Sequence, residues 1–231
     1  MARRPIFIAE ANDPFLIQVK SIDFTWSAGM AKSRRQMSMR SLHQAAQTLY
    51  PEARILEVSR MSDDSLGEQL SAFNLTFEPP GYSREISVEC AFQASKVFER
   101  GGPFLDLLEA GPADAKRDPR LQDAGRLTGF RFFGEDWPNE PLTAFYDWIY
   151  INALHRRPKL AEAVTHYDIF TDIAFNPEKS INCQASAVAL YVALVRRGEL
   201  QAALTSRDAF LSIETGASIN DDGQGNQGSL F

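Results

Sequence analysis

Glu89, Gln93 and Lys96 are spaced so that a single helix would carry a carboxyl, an amide and an amine along one side. At roughly 100° per residue, Cys90, Ala91, Ala94, Val97 and Phe98 of the stretch from Ser87 to Phe98 fall on an apolar arc. The three polar residues fall opposite it, with Phe92 at the margin. Glu89 and Lys96 stand two turns apart, which sets their Cα atoms about 10 Å distant along the axis. That gap is too long for an ion pair and suits one sugar ring held between an acid and an amine. A carboxyl can protonate a poor leaving group and later take the proton back. An amine can attack an electron-poor carbon once burial beside aromatic rings has left it uncharged. The same stripe is also what a solvated surface helix presents, so these residues by themselves leave both readings open.

Composition narrows what surrounds them. A chain of 231 residues accommodates one domain, or one domain with an elaborated N-terminus. A hydrophobic content of 44%, with 16 Phe, is enough for a substantial core. The net charge of −6 argues against a protein that coats nucleic acid by bulk electrostatics; a polyanion would have to meet a local basic patch. Cys90 and Cys183 have no metal-ligand spacing around them and read as structural thiols in a reducing cytoplasm rather than as a disulfide. His155 and His166 lack companions at ligand spacing, so neither a metal nor a cofactor is expected. No apolar run reaches transmembrane length and the N-terminus has no secretory pattern. A soluble, cytoplasmic protein with no membrane partner is the expectation. There is no internal repeat, Walker loop or GxSxG nucleophile.

The positioning elements read as follows. Pro5 to Ile8 and Phe15 to Phe24 are β-prone, with Asn12-Asp-Pro14 as the turn. Ala31 to Tyr50 is helical in period, is stopped by Pro51, and carries Lys32, Arg34, Arg35 and Arg40. That basic cluster is either a solvated face or a contact for a DNA phosphate backbone. Arg54 to Arg60 reads as a strand and Ser62-Asp-Asp64 as a turn. Leu70 to Phe77 and Glu85 to Val88, joined by Pro79-Pro-Gly81, read as a hairpin delivering the Glu89 helix. Gly101-Gly-Pro103 ends that helix. Short helices are expected around Phe104 to Glu109 and Pro112 to Thr128, and longer ones over Leu142 to Leu154 and Leu160 to Tyr167. Phe170 to Phe175 is extended. Gln184 to Arg197 is apolar nearly all round and therefore central, with Asn182 as its N-cap and Gly198 as its terminator. An uncovered N-terminus there would also suit a ligand phosphate. The tail after Ile213 is nearly without apolar residues and is expected to be disordered.

Several of these residues also form an ordered set. Leu70-Ser-Ala-Phe73, an extended segment, and Val88-Glu-Cys-Ala-Phe-Gln-Ala-Ser-Lys-Val-Phe98 resemble the signature of the NADAR (YbiA-like) family, in words Ser-Asn-Phe, a strand, then Glu-His-x-Phe-Gln-x-x-Lys-Phe. Asp136-Trp137, the long helix after it, and Lys179-Ser-Ile-Asn182 follow in the family's order. The resemblance covers about Leu70 to Gly198. The first seventy residues resemble the branch in which a NADAR protein is the antitoxin of a DarT-type DNA ADP-ribosyltransferase.

The resemblance implies an α+β, predominantly helical fold: a NADAR-like catalytic core over residues 70–213, a small N-terminal β-rich elaboration over 1–69 packed on it, and a disordered tail over 214–231. It implies cleavage of an N-glycosidic bond, with ADP-ribosylated guanine in DNA as substrate, ADP-ribose as product and a DarT-type toxin as functional partner. Glu89 and Lys96 become the catalytic residues, acid–base and Schiff-base amine respectively. Ser71, Phe73, Phe92, Gln93, Trp137, Asp172 and Asn182 become substrate-binding. The family's Ala-Lys and Gly-Arg pairs correspond to Ala115-Lys116 and Gly125-Arg126, separated here by an insertion, so either cation is a candidate for ligand phosphate. Two departures stand out: Cys90 occupies the family's usual His, and Phe175-Asn-Pro177 replaces its Asp-x-x-Trp-Gly loop. The alternatives are a YbiA-like N-glycosidase of riboflavin-pathway intermediates and a non-catalytic antitoxin that binds its toxin.

Overall fold

The computed structural model describes residues 1–231 apart from 13, 14, 80, 179, 217–219 and 222–231. The chain opens with an antiparallel hairpin, β1 (Ala2–Ala9) against β2 (Ile17–Phe24), in unbroken register from Ala2↔Phe24 to Ala9↔Ile17. Helix α1 (Lys32–Leu49), strand β3 (Ile55–Glu57) and the short α2 (Ser65–Gln69) follow. Asp64 caps α2 by accepting the Leu66 N–H. A two-stranded ladder, β4 (Thr76–Phe77) with β5 (Ile86–Ser87), leads into α3 (Val88–Ser95) and directly on into β6 (Lys96–Phe98). After a 3-10 turn over Leu105–Leu108 come α4 (Pro112–Arg117) and α5 (Arg120–Asp123). Strands β7 (Leu127–Phe132) and β8 (Glu135–Pro138) complete an antiparallel sheet of order β6-β7-β8. The remainder is α6 (Ala144–His155), α7 (Pro158–Val164), β9 (Ile169–Thr171), α8 (Gln184–Arg197), α9 (Leu200–Ala203), α10 (Arg207–Gly216) and β10 (Asn220–Asp221).

The largest sheet has the order β10-β2-β1-β9-β3, with β9 antiparallel to β1 and parallel to β3. Successive residues of a strand point to opposite faces, and β1 uses both. Ile6 and Ile8 pack with Met39, Leu42 and Ala46 of α1, while Phe7 and Ala9 join the main core with α3, α6 and α8. The sheet is therefore a middle layer between α1 and the helical body. Because β9 lies between β1 and β3, the boundary expected at 69/70 runs through a single hydrogen-bonded layer. Helix α8 is buried through most of its length and ends on Gly198 in the left-handed region (φ 70°), where a residue without Cβ is favoured.

One expectation about fold class is corrected. Helix takes 43% and strand 19%, so the protein is mixed α/β rather than predominantly helical. Part of the difference lies in the stretch read as helical from Pro112 to Thr128. It breaks at Asp118-Pro119, ends as α5 at Asp123, and by Leu127 is already strand. The aromatic run after it, Phe130 to Phe132, lies in a strand whose inward side chains Phe130 and Phe132 meet Phe145 of α6. Leu70 to Phe77 is likewise not extended throughout; Ser71–Asn74 form a turn closed by the Asn74 and Leu75 amides on the Ser71 carbonyl. Helix α10 runs on to Gly216, and Asn220–Asp221 pair in parallel with Gln18 and Val19 of β2. The rest of the tail expected to be disordered, 217–219 and 222–231, lies outside the described residues. Among the described residues no helix is long and apolar enough to cross a membrane.

Candidate active site

Helix α3 starts where Ser87 Oγ accepts the Cys90 N–H at 3.1 Å. All eight of its residues are buried, Glu89 to 4% and Gln93 to 6% exposure, so the polar stripe is not a solvated face. The helix is shorter than its period suggests and stops at Ser95. Lys96 adopts an extended conformation (φ −62°, ψ 131°) and pairs with Phe130 as the first residue of β6. The departing turn is satisfied locally: the Phe104 N–H bonds the Ala94 carbonyl, and Ser95 Oγ donates to the Ala91 carbonyl. Gly102 makes the return possible. Its φ is +90°, and a Cβ there would sit 2.2 Å from the Lys96 carbonyl oxygen. Lys96 thus belongs to the helix-to-strand junction and not to a second helical turn above Glu89.

Both residues nonetheless open onto one cavity of about 640 Å³. Its walls include Ser71, Phe73, Glu89, Phe92, Gln93, Lys96, Asp172 and Asn182. Glu89 Oε1 accepts from Gln93 Nε2 at 2.8 Å and lies 3.6 Å from Lys116 Nζ. In the first turn of α3 the carboxylate also sits near the positive end of the helix dipole. The Lys96 ammonium lies 4.6 Å from the centre of the Phe92 ring. Burial is the main cause that lowers the Lys96 pKa from 10.5 to about 8; Glu89 opposes the shift and Lys116 adds to it. Phe92 is wedged edge-on against Tyr146, with ring centres 5.1 Å apart, which leaves the lysine stem a rigid apolar floor.

The opposite wall is held by hydrogen bonds. Asp172 Oδ1 accepts the Ala174 and Phe175 amides at 2.9 and 3.2 Å, and Oδ2 accepts Gln184 Nε2 at 3.0 Å. Burial outweighs these bonds and raises the Asp172 pKa to about 6. Gln184 Oε1 in turn accepts the Ala72 N–H at 2.8 Å, which ties the Ser71–Asn74 turn to Asp172. Tyr150 donates to the Leu70 carbonyl and fixes the same turn from below. Phe73 carries the Arg60 guanidinium 4.3 Å and the Lys116 ammonium 5.4 Å from its ring centre.

Gln93 and Asn182 line the cavity, and their Oε1 and Oδ1 atoms are buried with no hydrogen-bond partner among the described residues. An unpaired buried polar group costs about 1–3 kcal/mol. Asn182 is also not the α8 cap: Cys183 occupies that position, without a side-chain cap bond. The residue preceding the cap lines the cavity.

Trp137 stands apart from the other sequence candidates. It lies in β8 at 3% exposure, 4.8 Å from Trp148 and 5.5 Å from Phe145 between ring centres, and does not line the cavity. Its position after a hairpin turn and opposite Phe130 directs the indole into the aromatic core. Of the two cations weighed for ligand phosphate, Lys116 lines the cavity, whereas Arg126 is 81% exposed and pairs with Glu99 at 3.2 Å. Sequence reasoning passes over Tyr146, Gln184, Arg60 and Arg117 as lining residues. Tyr146 and Gln184 read as ordinary helix residues, and only packing aims them at the site. Both cysteines are buried and free. Among the described residues no His, Cys, Asp and Glu gather as a metal site would require.

Fold and cavity together define a mixed α/β protein with a buried acid and a partly desolvated amine on one helix-to-strand junction. The model of the DarT1-associated NADAR antitoxin family matches residues 2–224, and the chain belongs to that family. The match takes in the N-terminal strands and α1 as well as the motif-bearing segment. No curated protein matches the chain.

Proposed function

We propose that this antitoxin is an N-glycosidase that removes ADP-ribose from ADP-ribosylated guanine in DNA and so reverses the modification made by its toxin. The observation that carries the reading is the lowered pKa of Lys96 in a cavity it shares with Glu89. Ribose C1 loses its nitrogen only if the departing amine is protonated, and Glu89 supplies that proton. As the C1–N bond breaks, the free Lys96 amine bonds C1 and passes a proton to the Glu89 carboxylate. The C1–O4 bond then opens, O4 takes the proton, and an imine remains. Water adds to C1, the Nζ–C1 bond breaks, and ADP-ribose leaves, so one water is consumed per turnover. Gln93 Oε1 and Asn182 Oδ1 accept hydrogen bonds from ribose hydroxyls, Ser71 and Asp172 line the same pocket, and Phe73 stacks on a base or ribose face. Three cations support a DNA strand as the substrate: Arg35, Arg60 and Arg117 line the cavity and have no ion pair among the described residues.

Incubation with an ADP-ribosylated oligonucleotide tests the reading. Wild type should release ADP-ribose, and Glu89→Gln and Lys96→Ala should each slow release by at least about a hundredfold. Absence of release by wild type would refute the reading in favour of the small-molecule glycosidase. Undiminished protection of cells by both variants would instead support a toxin-binding antitoxin.

A further inference from the structure

Glu57, the last residue of β3, is a fully internal carboxyl outside the cavity lining, at 2% exposure. Its Oε1 accepts the Ser59 hydroxyl at 2.5 Å and the Ile173 N–H at 2.8 Å, and its Oε2 lies 2.6 Å from Thr171 Oγ1. Thr171 Oγ1 is in turn 2.8 Å from His43 Nε2 of α1. These partners bracket the active-site wall: Thr171 and Ile173 flank Asp172, and Ser59 lines the cavity beside Arg60. The backbone approaches closely here too, since a Cβ on Gly67 of α2 would come within 1.9 Å of the Glu57 carbonyl oxygen.

No cation compensates Glu57. It takes part in no ion pair among the described residues. His43 is half-buried and its pKa is lowered to about 4, chiefly by desolvation, so it is neutral. On α1 and α2, Arg40 pairs with Asp63 and Lys32 with Glu68. The remaining neighbour is Asp172, whose charge, after burial itself, raises the Glu57 pKa to about 8. Two adjacent buried carboxyls cannot both ionise cheaply. Asp172 faces the cavity and Lys116, whose charge favours its ionised form. Glu57 has nothing comparable. Toward an ionised Glu57 the Thr171 hydroxyl donates to Oε2; the neutral acid reverses that bond, its proton going to Thr171 Oγ1 and the Thr171 hydroxyl to His43 Nε2, while Ser59 and Ile173 still donate to Oε1.

We propose that Glu57 is a positioning residue that works as the neutral acid, clamping Thr171 and Ile173 so that Asp172 is presented to the cavity as the ionised partner. The clamp is independent of the reaction; only the use made of Asp172 rests on the function proposed above.

The test compares Glu57→Gln and Glu57→Ala with wild type in the full chain. Glutamine can accept from Ile173 and Ser59 and donate to Thr171, whereas alanine can do neither. At neutral pH, hydrogen exchange of the Ile173, Ala174 and Phe175 amides should quicken about tenfold in Glu57→Ala, the loss of one buried bond, and return to near the wild-type rate in Glu57→Gln. A pH series adds a readout that plain packing would not move. The folded pKa is raised above the ordinary 4.5, so the stability due to Glu57 is complete below 4.5 and is lost as pH rises through about 8. The melting temperature of wild type should therefore fall relative to Glu57→Gln across that window and run parallel to it above. Exchange in Glu57→Gln as fast as in Glu57→Ala, or a wild-type-to-Gln difference that ignores pH, would overturn the proposal. Neither readout uses ADP-ribose, so a wild type that releases none would refute the proposed function and leave this assignment standing.

Discussion

Burial lowers the Lys96 pKa to about 8, so at pH 7 roughly a tenth of the amine is uncharged and able to attack. Because release needs an uncharged Lys96 and a proton on the acid in the same turnover, its rate should pass through a maximum with pH instead of rising to an alkaline plateau. Borohydride added during turnover should reduce the imine and leave a stable ADP-ribosyl adduct on Lys96, detectable by mass spectrometry. Lys96→Arg keeps the charge over the Phe92 ring but has no free amine, so its adduct should vanish while substrate binding survives. Adduct persisting in that variant would remove Lys96 from the covalent step. Glu89 is a different case. Its partners Gln93 and Lys116 orient the carboxyl, and the type and spacing of Glu89, Gln93 and Lys96 are legible in the sequence. The geometry of the last of them is not legible there, because a strand pairing partner thirty-odd residues away decides where α3 ends.

At the level of elements, the α3–β6 junction depends on a glycine that is not itself part of the cavity lining. Gly102→Ala would place a Cβ against the Lys96 carbonyl oxygen in addition to holding alanine at φ +90°. Gly134 is a control: its φ is +87° and nothing lies within 4 Å of a Cβ built there. Gly134→Ala should lose only the backbone term, about 1–2 kcal/mol. Gly102→Ala should lose more and should also lower the rate of ADP-ribose release; urea unfolding and single-turnover kinetics measure the two. Equal destabilisation with intact activity would mean that the junction does not position Lys96. Helices α6 and α8 raise no such question. Their apolar residues and stop signals are strong enough that the sequence locates both within a residue or two. The β7–β8 hairpin is harder to see, since an aromatic run has no period of its own until Phe145 and Trp148 receive it.

Charge organises the whole molecule. The net charge is −6, yet Arg35 from α1, Arg60 from the loop after β3 and Arg117 at the end of α4 all line the cavity, with no carboxylate partner among the described residues. Strand binding confined to so small a patch should be modest and steeply salt-dependent. Arg35→Glu with Arg117→Glu should weaken binding of a single-stranded oligonucleotide and reduce the slope of log K against log salt by about 0.7 for each phosphate no longer neutralised. Free ADP-ribose should bind as before. If ADP-ribose weakens in parallel, these arginines serve its pyrophosphate and not a strand. Fluorescence anisotropy with both ligands over a salt series distinguishes the cases. The basic front of α1 is visible as a cluster in the sequence, but of its four cations only Arg35 lines the cavity, while Lys32 and Arg40 are paired.

Local order in the chain is enough to determine which residue types share a helix face or a turn, because helical period, turn chemistry and motif spacing are short-range properties. It determines Glu89, Gln93 and Phe92 as neighbours and α8 as a central helix. Tertiary structure alone decides that Trp137 fills the core, that Asn182 lines the cavity while Cys183 holds the cap position of α8, and that Glu57 lies behind Asp172. Each of those outcomes depends on packing between segments far apart in sequence. Burial, which sets the protonation of Lys96, Asp172 and Glu57, exists only once those segments have closed on one another.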